Sequence, residues 1–320
     1  MRCITAGSAI ALLVASVLPA CGGSQGSAPL NPLARSPLAS PAAKGFKFKT
    51  VVNRQDSTFN RLLGINDKRT AVGYDGSGEG GRASAGYEVV PPFERHDFTA
   101  ESFPGAAQTR VTAINNRGDT AGLWIDAAGA IHGFIAWEGI YASYDDPSAA
   151  NDTEILGLND SGVAAGFYTD VTGTRHGFTL DRDTGKFTDV SPPEASNVTA
   201  AGINDNGDVV GYYASGSQTF AFFETGGNFS EFGYPGAAAT MALGVNARGT
   251  IVGGYRDGSG GAHGFVVRTL NHQPRWESID HPKGAGTTTI NGINDRLNLV
   301  GWYVNSAGNT VGMLIERKKT

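Results

Sequence analysis

From residue 46 to the end, short apolar stretches alternate with polar turns rich in glycine. The apolar stretches have the length and spacing of strands, and none is long enough for a helix. One stretch sets the pattern: Ala201-Gly202-Ile203-Asn204-Asp205-Asn206-Gly207-Asp208-Val209-Val210-Gly211-Tyr212-Tyr213. Its Asn recurs at Asn66, Asn115, Asn159, Asn204, Asn246 and Asn294. An aliphatic residue precedes each (Ile65, Ile114, Leu158, Ile203, Val245, Ile293), and a Gly or Ala stands two before. Seven residues after each comes Gly73, Gly122, Gly166, Gly211, Gly253 or Gly301. The copies lie 49, 44, 45, 42 and 48 residues apart, a period in the range of propeller blades.

Each copy predicts a hairpin. Asn and Asp tolerate left-handed backbone and bond their own main chain, while Gly supplies a positive φ, so Asn-Asp-x-Gly is a turn between two strands. Arg69 and Leu297 replace that Gly in copies one and six, where a different turn is expected. The small residues in both strands predict close approach of neighbouring backbones, as in innermost strands crowded round an axis. A polar turn and a third strand follow, as in Asp170-Val171-Thr172-Gly173 before Arg175-His176-Gly177-Phe178. A fourth short strand precedes a loop of Pro and small residues, as Phe187-Thr188-Asp189-Val190 precedes Pro192.

The third strands carry His132-Gly133-Phe134, His176-Gly177-Phe178 and His263-Gly264-Phe265, with Phe220-Ala221-Phe222 in a fourth copy. Residues 46–320 thereby resemble the bacterial extracellular HAF-repeat proteins, named for a His-Ala-Phe tripeptide. The resemblance implies an extracellular, β-propeller-like repeat and carries no activity over to any residue.

Strand count sharpens the architecture. Residues 46–50 form a surplus strand before copy one, and the last copy ends at Thr320 without a fourth strand. A closed ring in which the N-terminal strand completes the last blade accounts for both, whereas an open stack leaves a bare sheet edge at each end. The expected fold is all-β: a six-bladed β-propeller of four-stranded blades. Forty-six glycines and low charge agree with an all-β chain of tight turns.

The first 45 residues read differently. Residues 1–20 have a positive start at Arg2 and an apolar run from Ile10 to Leu18, too short for a permanent span, and read as a secretory signal peptide. Leu18-Pro19-Ala20-Cys21 resembles a bacterial lipobox. Cleavage before Cys21 removes Cys3 and leaves a lone thiol, which a thioether-linked lipid explains. Residues 21–45 are then a lipidated Cys and a disordered tether of Gly, Ser, Pro and Ala. An envelope location follows, with the outer membrane or cell surface preferred to the inner membrane.

Net charge is −5, with no basic run beyond Arg317-Lys318-Lys319, so nucleic acid is not an expected partner. Asp126 with His132, Asp170 with His176, and Asp257 with His263 flank the second turns. They read as side-chain braces in preference to a ligand-contacting rim, because catalysis needs a unique constellation and these recur. Trp124, Tyr168, Tyr213, Tyr255, Trp302 and Tyr303 read as inter-blade packing, with a sugar-binding rim as the alternative. His96, His272, His281, Trp137, Trp276, Asp145 and Asp146 look non-repeated, but no spacing makes them a triad, zinc site or carboxylate pair. No catalytic residue, metal or cofactor is assigned. The preferred reading is a monomeric, membrane-tethered, non-catalytic module binding a glycan, peptide or protein. The alternatives are an envelope enzyme, such as a glycan hydrolase or lyase with its site at the channel mouth, and a structural spacer.

Overall fold

A computed structural model describes residues 45–318, apart from 54, 79–80 and 271–272. The expected signal peptide, Cys21, the expected tether as far as residue 44 and His272 therefore lie outside the described residues. Every element described is a strand, and they group into six antiparallel four-stranded blades. Blade one runs from Asn60–Ile65 to Phe98–Glu101, blade two from Gln108–Ile114 to Ile140–Tyr144, and blade three from Thr153–Leu158 to Lys186–Val190. Blade four runs from Ser196–Ile203 to Asn228–Phe232 and blade five from Ala239–Val245 to Gln273–Ile279. Blade six has three strands of its own, Gly284–Ile293, Leu299–Asn305 and Thr310–Arg317. Its fourth is the N-terminal strand Phe46–Val51, which pairs antiparallel with Thr310–Arg317 from Phe46↔Arg317 to Val51↔Gly312. The fold is thus a six-bladed β-propeller closed by strand exchange between the chain's two ends.

The core is divided into six clusters, each straddling a blade boundary. Val72 of blade one packs with Val111, Ile114 and Phe134 of blade two, and Val300 and Leu314 of blade six pack with Leu62 and Tyr87 of blade one. The third-strand aromatics anchor these clusters: Phe134, Phe178, Phe222 and Phe265 are fully buried. Full burial of such a ring contributes about 1.5–3 kcal/mol.

The two sets of small residues have different physical causes. The first lies where blades touch each other: a Cβ on Gly157 would stand 3.0 Å from Gly202 Cα, and one on Gly292 2.6 Å from Leu63 O. The second lies inside each blade, at a bulge in the first strand. A Cβ on Gly211 would stand 2.0 Å from Thr199 O, and the place beside the glycine is filled by Phe222.

The expectation of different turns in copies one and six is overturned. Arg69 N donates to Asn66 O at 3.0 Å and Leu297 N to Asn294 O at 3.1 Å, matching the 3.1 Å bond from Gly207 N to Asn204 O. Arg69 and Leu297 adopt the positive φ themselves, at 67° and 62°. Left-handed backbone costs a side-chain-bearing residue about 1–2 kcal/mol. Each side chain has compensating contacts: Arg69 pairs with Glu316 and lies over Phe93, and Leu297 packs on the blade-six core.

Candidate functional site

The six first strands surround the axis, and the repeated Asn residues close one end of it. Each Asn donates its Nδ2 to the main-chain oxygen of the Asn in the next blade. The bonds run Asn66 to Asn115 (3.0 Å), Asn115 to Asn159 (3.1 Å), Asn159 to Asn204 (3.1 Å), Asn204 to Asn246 (3.0 Å), Asn246 to Asn294 (3.2 Å) and Asn294 to Asn66 (2.9 Å). The side-chain oxygen holds its own turn; Asn204 Oδ1 accepts from Asn206 N and Asp208 N. The Asn therefore both shapes its turn and joins its blade to the next.

A second ring lies on the first. Asp67 N, Asn116 N, Asp160 N, Ala247 N and Asp295 N each donate to the side-chain oxygen of the following residue in the cycle, at 2.7–2.9 Å. Ala247 breaks the cycle, and there Asn206 Nδ2 donates to Ala247 O instead. Burial pushes the Asp205 carboxyl up, helped by Asp160 and Asp295. The cavity enclosed here is about 100 Å³, room for a few waters. Its carboxylates are engaged with main chain, and no cluster of three acidic, His or Cys groups among the described residues could hold a metal ion.

The Asp/His pairs lie on the opposite face, where the second turns are. His176 Nε2 is 2.9 Å from Asp170 and its ring stacks on Tyr168 at 4.9 Å. His263 lies between Asp257 at 3.2 Å and Asp280 at 2.9 Å, stacked on Tyr255. Burial opposes its charge, but the bonds to Asp280 and Asp257 raise its pKa above the ordinary imidazole value. His132 stacks on Trp124 at 4.3 Å; it is 3.8 Å from Asp126 but 3.0 Å from Asp145. Asp145 thus belongs to the repeat, standing just after a fourth strand as Asp280 does. Between blades five and six, His281 stacks on Tyr303 at 3.6 Å, as Phe103 does on Trp124 and Tyr234 on Tyr255, with Lys283 N donating to its Nδ1. Burial, reinforced by Lys283, lowers its pKa to about 4. Trp137 lies under the Arg182 guanidinium, and His96 is mostly exposed beside Asp97.

The non-repeated chemistry of the inner strands falls where the sequence reading did not look. Five residues before the repeated Asn stand Arg61, Arg110, Glu154, Thr199, Met241 and Thr289, one per blade. The Arg61 guanidinium lies 4.4 Å over Trp302 and donates to the Tyr74 hydroxyl. Arg110 lies over Tyr74 and donates to Ser84 Oγ. Glu154 is 1% exposed, and burial, with Asp152 beside it, pushes its carboxyl well above the usual range against the pull of Arg110 and Arg175. Superposing the six copies on their Asn would have exposed this column by its variety.

Two concave regions lie away from the axis, besides a smaller one between blades one and two. One, of about 700 Å³, lies at the closure seam and is lined by Thr50, Ser57, Lys283, Tyr303, Asn305 and Ser306, among others. The other, of about 470 Å³, lies between blades four and five around Trp276.

No known family profile matches the sequence, and no curated protein resembles it closely enough to match. Solved structures do share its fold. TolB from Acinetobacter baumannii aligns with a TM-score of 0.53 at 8% identity over 78% of this chain. That match spans 64% of TolB, less than two thirds of its length. An Aleuria aurantia lectin variant in complex with Fucalpha1-6GlcNAc aligns with a TM-score of 0.51 at 11% identity, over 79% of this chain and 91% of the lectin. The chain is similar to these proteins in its propeller fold.

Proposed function

We propose that this protein is an exported, envelope-tethered, non-catalytic module that binds a glycan. The observation carrying this is the cleft at the closure seam. It is large enough for a small oligosaccharide. Its lining places Ser57, Ser306, Asn305 Nδ2 and Lys283 around Tyr303, whose hydroxyl pairs with Thr50 Oγ1, while Asn305 Oδ1 holds its own turn. Sugars need many hydrogen-bond partners, and this lining supplies them. The lectin likeness agrees with such a use of the fold. The lipobox-like Leu18-Pro19-Ala20-Cys21 supports anchoring through Cys21, with Gly22 after it favouring the outer membrane.

The enzymatic alternative has its best support in Glu154 with Asp152, a carboxyl pair of unequal surroundings. Glu154 is closed to solvent, however, and a general acid must reach its substrate. The test is a titration of the full chain against a panel of neutral oligosaccharides, with the bound sugar recovered and weighed by mass spectrometry. Binding of an unchanged sugar, weakened about tenfold by Lys283→Ala or Ser57→Ala with unaltered melting temperature, is expected. A cleaved sugar would establish the enzymatic reading, and no binding would end the glycan reading. Acylated Cys21 at the mature N-terminus in the native host is the matching test of anchoring.

A further inference from the structure

The groove between blades four and five differs in character from the seam cleft. Its floor and walls are Phe223, Phe232, Ile251, Val267 and Trp276, with Arg248 and Arg268 beside them. The same architectural place exists between blades one and two, with a different lining. There, Glu88 and Glu101 stand where the strand register puts Phe223 and Phe232, and Trp137 stands where it puts Arg268. Between the two grooves, two carboxylates are replaced by phenyl rings and an indole by a guanidinium, while Arg248 keeps the place in its turn that Arg117 holds in blade two.

The cations are uncommitted. Among the described residues, neither guanidinium has a hydrogen-bonded or ion-paired side-chain partner. Glu277, whose carboxylate Arg268 feels, is held by Arg317 at 2.7 Å. Glu231, on the rim, accepts from the Tyr213 hydroxyl. Arg275 faces Arg268 across the strand pair, a like-charge juxtaposition that destabilises the sheet in the absence of an anion. An arginine-flanked, aromatic-floored groove in a chain of net charge −5 is complementary to an anion with an apolar body. A sugar fits less well, because the side chains with spare hydrogen-bonding capacity are few and the floor is carbon.

We propose that this groove is a second ligand site, independent of the seam cleft, that takes an amphipathic carboxylate, its apolar tail on Trp276, Phe223 and Phe232 and its head between Arg248 and Arg268. The probe is dodecanoate, titrated calorimetrically into the full chain below its micelle concentration. A dodecyl polyoxyethylene ether provides the same tail with an uncharged head that is not a sugar. Dodecanoate should bind about tenfold or more tightly than the ether. Arg248→Gln and Arg268→Gln should each weaken dodecanoate by a similar factor, while Lys283→Ala leaves it unchanged. Both arginines lie at the surface or half-buried, so an unshifted melting temperature verifies that the variants fold. Equal binding of the two amphiphiles, wild-type affinity in the arginine variants, or no saturable binding of dodecanoate at millimolar concentration would each overturn the proposal. Loss of dodecanoate binding in Lys283→Ala would instead place it in the seam cleft, which also overturns it.

Discussion

At the residue scale, single side chains perform several physical tasks at once, and their removal is correspondingly costly. Asn204 donates to Asn246 O in the next blade and accepts two main-chain hydrogens in its own turn. Asn204→Ala should lower unfolding free energy by about 1–3 kcal/mol, read by urea denaturation. A change near zero would show that water replaces the ring bond. His281 makes a pH prediction with a definite sign. Its folded-state pKa of about 4 lies below the ordinary 6.5, so between these values the unfolded chain binds the extra proton. Stability from this residue is whole above pH ~6.5 and is lost as pH falls towards ~4, by roughly 3 kcal/mol at most. His263, with its raised pKa, acts in the opposite sense and loses its contribution as pH rises. His281→Phe preserves a ring against Tyr303 and removes the titration. Its stability relative to wild type should therefore rise on acidification across that window; a difference independent of pH would refute the buried neutral imidazole.

At the element scale, the bulged first strand and the glycine opposite it form one device. The bulge brings a first-strand carbonyl so close to the second strand that only hydrogen fits, and the third-strand ring fills the space beside it. Gly211→Ala should cost at least about 3 kcal/mol or prevent folding, because Thr199 O cannot retreat without breaking its ladder. Gly207→Ala is the control. A Cβ there meets nothing within 4 Å, so only its φ of 83° is strained, and the cost should be about 1 kcal/mol. Thermal melts of the two variants separate contact from conformation. Equal losses would mean that the close approach relaxes. The hairpins, the small-residue positions and the third-strand aromatics were legible in sequence, since the first two are local demands made six times and the aromatic recurs in four copies as Phe134, Phe178, Phe222 and Phe265, with Met313 in its place in the last. The shared turn of copies one and six was not. Its positive φ at Arg69 and Leu297 is stabilised by Glu316 and the blade-six core, far away in sequence.

At the scale of the whole molecule, closure is the central fact. Phe46–Val51 supplies the last blade's outer strand, with Phe46 and Val51 buried and Val51 O accepting from Asn60 Nδ2 at 2.7 Å. A chain beginning after residue 51 should lose about 4 kcal/mol or more and aggregate through the bared edge of Thr310–Arg317. A chain lacking only residues 22–44 should melt like the intact one. Hydrogen exchange across 310–317 checks the mechanism: unchanged protection in the shorter chain would show that the seam strand is dispensable.

The amino-acid sequence by itself determined the number of blades, the strands in each, the turn of the four copies that carry its glycine and the closing strand, because each follows from spacing and from local backbone preference repeated along the chain. Tertiary structure decided what the non-repeated residues do. Arg61, Arg110 and Glu154 share an inner ring, Asp145 joins His132, and Arg248 and Arg268 flank one apolar groove, though each lies in a different element or repeat. Such groups meet only when the ring closes, and their burial and charge are set by neighbours that no local spacing reveals.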